Sequence, residues 1–168
     1  MQPPRQSQSV DFRHRPENPP IDITGGCIYD TSVIRAVIDT NVIVAALKSS
    51  KGASYELLLR MDAGRFQPAV SVALVTEYED VLFRPTLGIR LSHSQIDAVL
   101  DRICQIGINQ PIYYLWRPFL SDPKDDMVFE TALASGSTHI VTFNLSDFRP
   151  ARQFGIEAIT PGRFLLKL

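Results

Sequence analysis

Carboxylate and amide side chains recur at four separated places in this chain of 168 residues. They are Asp39-Thr40-Asn41, then Glu77 and Glu79, then Asp122-Pro123-Lys124-Asp125-Asp126, and finally Thr142-Phe143-Asn144 with Asp147. No His or Cys shares the pattern. Hard oxygen donors of this kind suit Mg²⁺ or Mn²⁺ rather than zinc. His14, His93 and His139 are scattered, and no CxxC or HxxxH spacing occurs, so a structural zinc site is not expected.

Each cluster follows a stretch that reads as a strand or leads into a helix. Val33–Ile38 is a β-branched run, nearly continuous in apolar character, as a strand buried on both faces of a parallel sheet reads. Further strands are expected at Phe66–Val72 (interrupted by Pro68), Ile112–Trp116, His139–Phe143 and Ile156–Ile159. Helices are expected at Val42–Leu47, Ala53–Met61, Ala73–Arg84, around Ile96–Ile103 behind a cap at Ser92 or Ser94, and at Lys124–Ser135. Pro161 opens a short terminal helix. Strands alternating with helices predict a three-layer α/β/α sandwich with a mainly parallel sheet. In such sheets functional groups gather beyond the carboxyl ends of the strands, where all four clusters fall.

Length and composition bound the rest. The chain is long enough for one domain with a sizeable core. Seventeen Lys+Arg against eighteen Asp+Glu exclude a nucleic-acid partner held by bulk positive charge. Five of the twelve prolines lie in the first twenty residues, so residues 1–32 read as a loosely packed extension before a domain at 33–168, or as a start upstream of the true one near Val33. The Ile23–Cys27 stretch faintly resembles a lipoprotein cleavage box, but no apolar run precedes it. Two lone cysteines, Cys27 and Cys104, read as reduced thiols, and no apolar run is long enough to span a membrane; a cytoplasmic location is expected.

Local readings compete with the chemical one at every position. Val128, Phe129 and Ala132 lie three, four and seven residues after Asp125, which places Asp125 on the apolar stripe and Asp126 and Glu130 off it. Yet Asp122 as N-cap, Pro123 at the first helical position and Asp125 near the helix dipole would also explain the motif. Glu77 and Glu79 border the apolar arc on opposite edges, and amphipathicity does not choose between them. Asp39, Thr40 or Asn41 could cap the next helix, and Thr142 and Asn144 could be an ordinary turn. Trp116 reads as core or interface packing. What favours chemistry is that four such groups occupy corresponding topological positions.

Asp39-Thr40-Asn41 after Arg-Ala-Val-Ile resembles the opening motif of PIN-domain nucleases. Glu77-Tyr78-Glu79-Asp80-Val81-Leu82 with Arg84-Pro85 resembles the second, Asp122–Asp126 the third, and Val141–Phe148 the last. The likeness covers roughly Val33 to Leu168 and is greatest to VapC-type toxins of bacterial toxin–antitoxin modules. It implies a metal-dependent endoribonuclease using Mg²⁺ or Mn²⁺. By position Asp39, Glu77 and Asp125 would be the catalytic and metal-binding carboxylates, with Glu77 preferred to Glu79. Thr40, Asn41, Thr142, Asn144 and Asp147 would support them.

Many relatives carry aspartate where this chain has Asn144, which puts a second metal in doubt; Asp147 three residues on is a feature of toxin-like members. The implied partners are RNA, a cognate antitoxin and a second copy of the chain. Lys48, Lys51, Arg84, Arg149 and Arg152 are candidate phosphate contacts, though each reads equally as solvated surface. The alternative is a catalytically weak or inactive PIN-fold module that binds RNA or other proteins.

Overall fold

The computed structural model describes residues 33–168; the expected N-terminal extension, with His14 and Cys27, lies outside the described residues. Five strands, β1 (Arg35–Ile38), β2 (Gln67–Val70), β3 (Ile108–Asn109), β4 (His139–Val141) and β5 (Glu157–Ile159), form one sheet. Among the described residues six α-helices accompany it: α1 (Thr40–Lys48), α2 (Ala53–Asp62), α3 (Val72–Leu82), α4 (His93–Ile106), α5 (Asp126–Ser135) and α6 (Pro161–Leu165). The strand order is β3-β2-β1-β4-β5 and every pairing is parallel. This is the expected α/β sandwich.

Burial explains the strand texture. Ala36, Val37, Ile38, Ile140 and Val141 are essentially inaccessible, because helices cover the sheet and leave no polar face. Pro68 is tolerated within β2. The Gln67 amide donates to Ile34 O on the β1 side, so the Pro68 nitrogen faces the opposite side, just before β3 begins. Ser92, not Ser94, caps α4 in a full capping box with Gln95, and Ile96, Val99, Leu100 and Ile103 form its buried face, as their spacing requires.

The third strand is not where its composition suggests. It is Ile108–Asn109 rather than Ile112–Trp116. Gly107 permits this: a Cβ there would lie 2.7 Å from Ile103 O, so only glycine lets α4 turn directly into a strand. The Gln110 amide still donates to Val70 O at 2.7 Å, and then Pro111, which has no N–H, ends the pairing. The β-branched and aromatic run after it passes outside the sheet, leaving Tyr113 and Tyr114 exposed. Trp116 packs edge-on against Phe154 at 5.2 Å between ring centroids.

Candidate active site

The strand order reverses direction at β1 and β4. Their carboxyl ends therefore open a crevice that no crossover connection covers. Asp39 follows β1 directly and Thr142 follows β4 directly, so register alone makes them neighbours: Ile38 pairs with Val141, and the Asp39 amide donates to Val141 O at 2.9 Å. The Thr142 hydroxyl donates to Asp39 Oδ2 at 2.6 Å. Asn41 Nδ2 donates to the same oxygen at 2.7 Å, while the Phe143 amide donates to Asn41 Oδ1 at 3.3 Å. Asn41 thus ties the start of α1 to the turn after β4. The capping reading holds as well: Asp39 is the N-cap of α1, although its Oδ1 receives the Asn41 amide at only 3.4 Å.

Asp39 is 6% exposed. Burial pushes its carboxyl above the usual range, and the hydrogen bonds from Thr142, Asn41 and Thr40 oppose that shift without cancelling it. Beneath it, the Tyr78 hydroxyl donates to Ile38 O. Tyr78 is fully buried, which raises its own pKa well above normal. In the sequence it is simply part of the apolar arc of α3; its hydroxyl fixes the backbone one residue before Asp39.

The third motif differs from its helical-wheel reading. Helix α5 begins at Asp126, and Asp125, its N-cap, is half-buried with no capping bond from its side chain. Asp126 and Glu130, expected off the buried stripe, are 0% and 2% exposed. Segment 116–120 covers the face of α5 that the sheet leaves open, and both carboxylates hold it. Asp126 Oδ1 accepts the Leu120 amide at 2.8 Å and the Phe119 amide at 3.3 Å. Glu130 accepts the Trp116 amide at 2.8 Å and pairs with Arg117 at 2.9 Å. Asp122 is not the helix N-cap; its Oδ1 accepts the Lys124 amide at 3.0 Å and stabilises the preceding turn.

Asp125 is left facing the crevice. Its pKa rises to about 6, through burial first, then through repulsion from Asp39, Asp122, Asp147 and Asp126. Asp39, Asp125 and Asp147 therefore share one electrostatic field, although residues 39 and 147 come from opposite ends of the domain. Ser146 donates to Asp147 at 3.1 Å, and the exposed Asn144 gives its amide to Thr142 Oγ1 at 2.9 Å. Thr40 is buried at the head of α1. Glu77 is half-buried on α3, next to Tyr78.

These donors match a hard divalent cation in kind. Asp39 and Asp125 repel one another, and neither is paired with a basic side chain among the described residues. Among those residues, no group of three or more His, Cys, Asp or Glu side chains gathers closely enough to enclose an ion. A cation held here would rest on two carboxylates with water completing its shell, as Mg²⁺ tolerates.

No helix among the described residues is long and apolar enough to cross a membrane. No curated protein matches the chain. A family model for the PIN domain matches residues 35–146, from the first residue of β1 to the turn after β4. That span contains Asp39, Asp125 and Thr142, the residues that the parallel sheet brings to its switch point, and the chain belongs to the PIN domain family, whose fold is a nuclease fold.

Proposed function

We propose that this protein is an Mg²⁺- or Mn²⁺-dependent endoribonuclease and acts as the toxin of a toxin–antitoxin module. The observation that carries the reading is the buried Asp39 carboxylate, clamped by Thr142 and Asn41 where β1 and β4 end side by side, with the half-buried Asp125 close enough to feel its charge. Crowded carboxylates cost stability in an empty site, and a bound cation offsets that cost. The RNA substrate, the cognate antitoxin and pairing into a homodimer rest on the motif resemblance.

In this reading Asp39 and Asp125 hold the cation, with Glu77 and Asp147 acting through water. When bound, the cation polarises the scissile phosphate and lowers the pKa of coordinated water. Thr142 and Asn41 fix the rotamer of Asp39 by occupying Oδ2, which leaves Oδ1 as the freer lone-pair site. The Tyr78 hydroxyl immobilises the backbone behind it. Asp125 is the N-cap of α5, and the Asp126 bonds to segment 119–120 hold the start of that helix in place.

The test is cleavage of a fluorophore–quencher single-stranded RNA with Mg²⁺ or Mn²⁺, comparing the parent chain with Asp39→Asn. The expected loss is at least about 100-fold, the scale of removing a key electrostatic group. Equal cleavage by both proteins, or none by either, overturns the reading. The second outcome would favour an inactive PIN-fold module that binds RNA, a possibility raised by Asn144 and by the lack, among the described residues, of three acidic side chains grouped closely enough to enclose an ion.

A further inference from the structure

Beyond Asp147 the chain builds a second feature that the catalytic reading does not use. The 3₁₀ helix Arg149–Phe154, the edge strand β5 and the start of α6 enclose a cleft of about 510 Å³. Arg149, Arg152 and Arg163 line it, together with Leu145, Phe148 and Ile159. All three arginines are exposed, and none forms an ion pair among the described residues. The acidic side chain in the cleft, Glu157, is already engaged by Lys167 at 2.8 Å. Arg152 still contributes to the positive field that lowers the Glu157 pKa, so its charge reaches into the cleft.

We propose that this cleft binds the phosphodiester backbone of the single-stranded RNA beside the scissile position. The proposal rests on the endoribonuclease reading for the identity of the strand. Its own support is geometric. Residues three apart on a 3₁₀ helix share a face and are separated by roughly 6 Å along the axis, so Arg149 and Arg152 form a row. That row starts two residues after Asp147, whose charge acts on Asp125. A strand leaving the carboxylate centre in this direction passes from a negative region that needs a cation to a positive one that needs none. Planar guanidinium groups match phosphate oxygens in bidentate fashion. An acidic protein segment would satisfy the same charges, but the place of Arg149 two residues after Asp147, whose charge acts on Asp125, favours the nucleic acid.

The test uses the full chain carrying Asp39→Asn, so that binding is read without cleavage. Fluorescence anisotropy follows a labelled single-stranded RNA twelve-mer over a salt series. Adding Arg149→Gln, Arg152→Gln and Arg163→Gln together should weaken binding at least tenfold. It should also flatten the slope of log K against log salt by about 2, as expected when three phosphate contacts to a single strand are lost. Arg90→Gln, far along the chain on an exposed loop, should change neither. Circular dichroism and thermal melting establish that the triple variant is folded; if it is not, Arg152→Gln alone should reduce the slope by about 0.7.

Unchanged affinity and slope overturn the cleft assignment, as does the absence of RNA binding by the Asp39→Asn chain. Equal binding of poly-glutamate and RNA, lost together in the triple variant, overturns the nucleic-acid assignment in favour of an acidic protein. Cleavage by the parent chain is measured separately. RNA that binds through these arginines but is not cut would retain the cleft and refute the endoribonuclease reading.

Discussion

The Thr142 hydroxyl and the Asp39 carboxylate are joined at 2.6 Å across 103 positions of sequence. Thr142 is fully buried and its oxygen also receives the Asn144 amide at 2.9 Å, so one hydroxyl both orients the carboxylate and closes the turn after β4. Thr142→Val keeps the shape and removes both bonds, together with the 3.3 Å bond that Asn41 Nδ2 donates to the same oxygen. It should destabilise the fold by about 1–3 kcal/mol, the cost of leaving buried partners unsatisfied, as measured by urea denaturation. Cleavage should fall further than the loss of folded protein explains, because Asp39 loses its fixed rotamer. Thr142→Ser should restore most of both.

A pH effect follows from Asp125. Its folded pKa, about 6, lies above the ordinary carboxyl value of 3.8. Below the ordinary value, Asp125 is neutral in both folded and unfolded states and the fold suffers no penalty. As pH rises through about 6, the folded state must accept a charge that its neighbours repel, and stability is lost. Metal-free protein should therefore melt lower at pH 7 than at pH 5 through this group. Asp125→Asn should remove that component and raise Tm at pH 7 by a few degrees, each kcal/mol being worth roughly 2–8 °C and solvent screening trimming the gain. Mg²⁺ should raise Tm at pH 7 in the parent chain but much less in the variant.

Asp126 offers a contrast with its neighbour. Asp126→Ala would strand the Phe119 and Leu120 amides, and each buried unsatisfied group costs about 1–3 kcal/mol. Chemical denaturation should show a large loss, and proteolysis should become faster within segment 116–125. Asp126→Asn, which retains an acceptor, should recover much of the stability. The paired variants separate the two aspartates: position 125 should govern metal response, position 126 the integrity of the segment.

Arg117→Met leaves Glu130 buried without its partner. The Arg117 side chain is 40% exposed, so the loss should be about 1–3 kcal/mol, smaller than for a fully enclosed pair. The double variant Arg117→Met/Glu130→Met should recover part of it. A double-mutant cycle in urea measures the coupling directly.

Much of the layout was legible in the residues because parallel sheets impose strong local signatures. The nearly continuous apolar run Val33–Ile38 marked a buried strand, and the spacing of Ile96, Val99, Leu100 and Ile103 marked the buried face of α4. The misplacement of β3 has a tertiary cause. Ile112–Trp116 has strand composition, but Gly107 brings Ile108 to the sheet first and Pro111 ends the pairing before the aromatic run arrives.

The reading of Asp126 and Glu130 as peripheral failed for a related reason. A helical wheel assumes one buried face, whereas α5 is covered on a second side by a segment with no regular structure. Buried carboxylates that accept backbone amides carry no periodic signal at all. Asp39 and Thr142 were both visible as strand exits, but only the strand order makes them adjacent.

That strand order has a consequence for biosynthesis. Strand β4 lies between β1 and β5, so β1 has an open edge until residue 141 has been made and docked. A ribosome that has translated Asp39, Tyr78 and even Asp125 has produced a chain whose first carboxylate still lacks the Thr142 clamp. Stalled or truncated products ending before this point would carry the acidic residues without the clamp that orients Asp39.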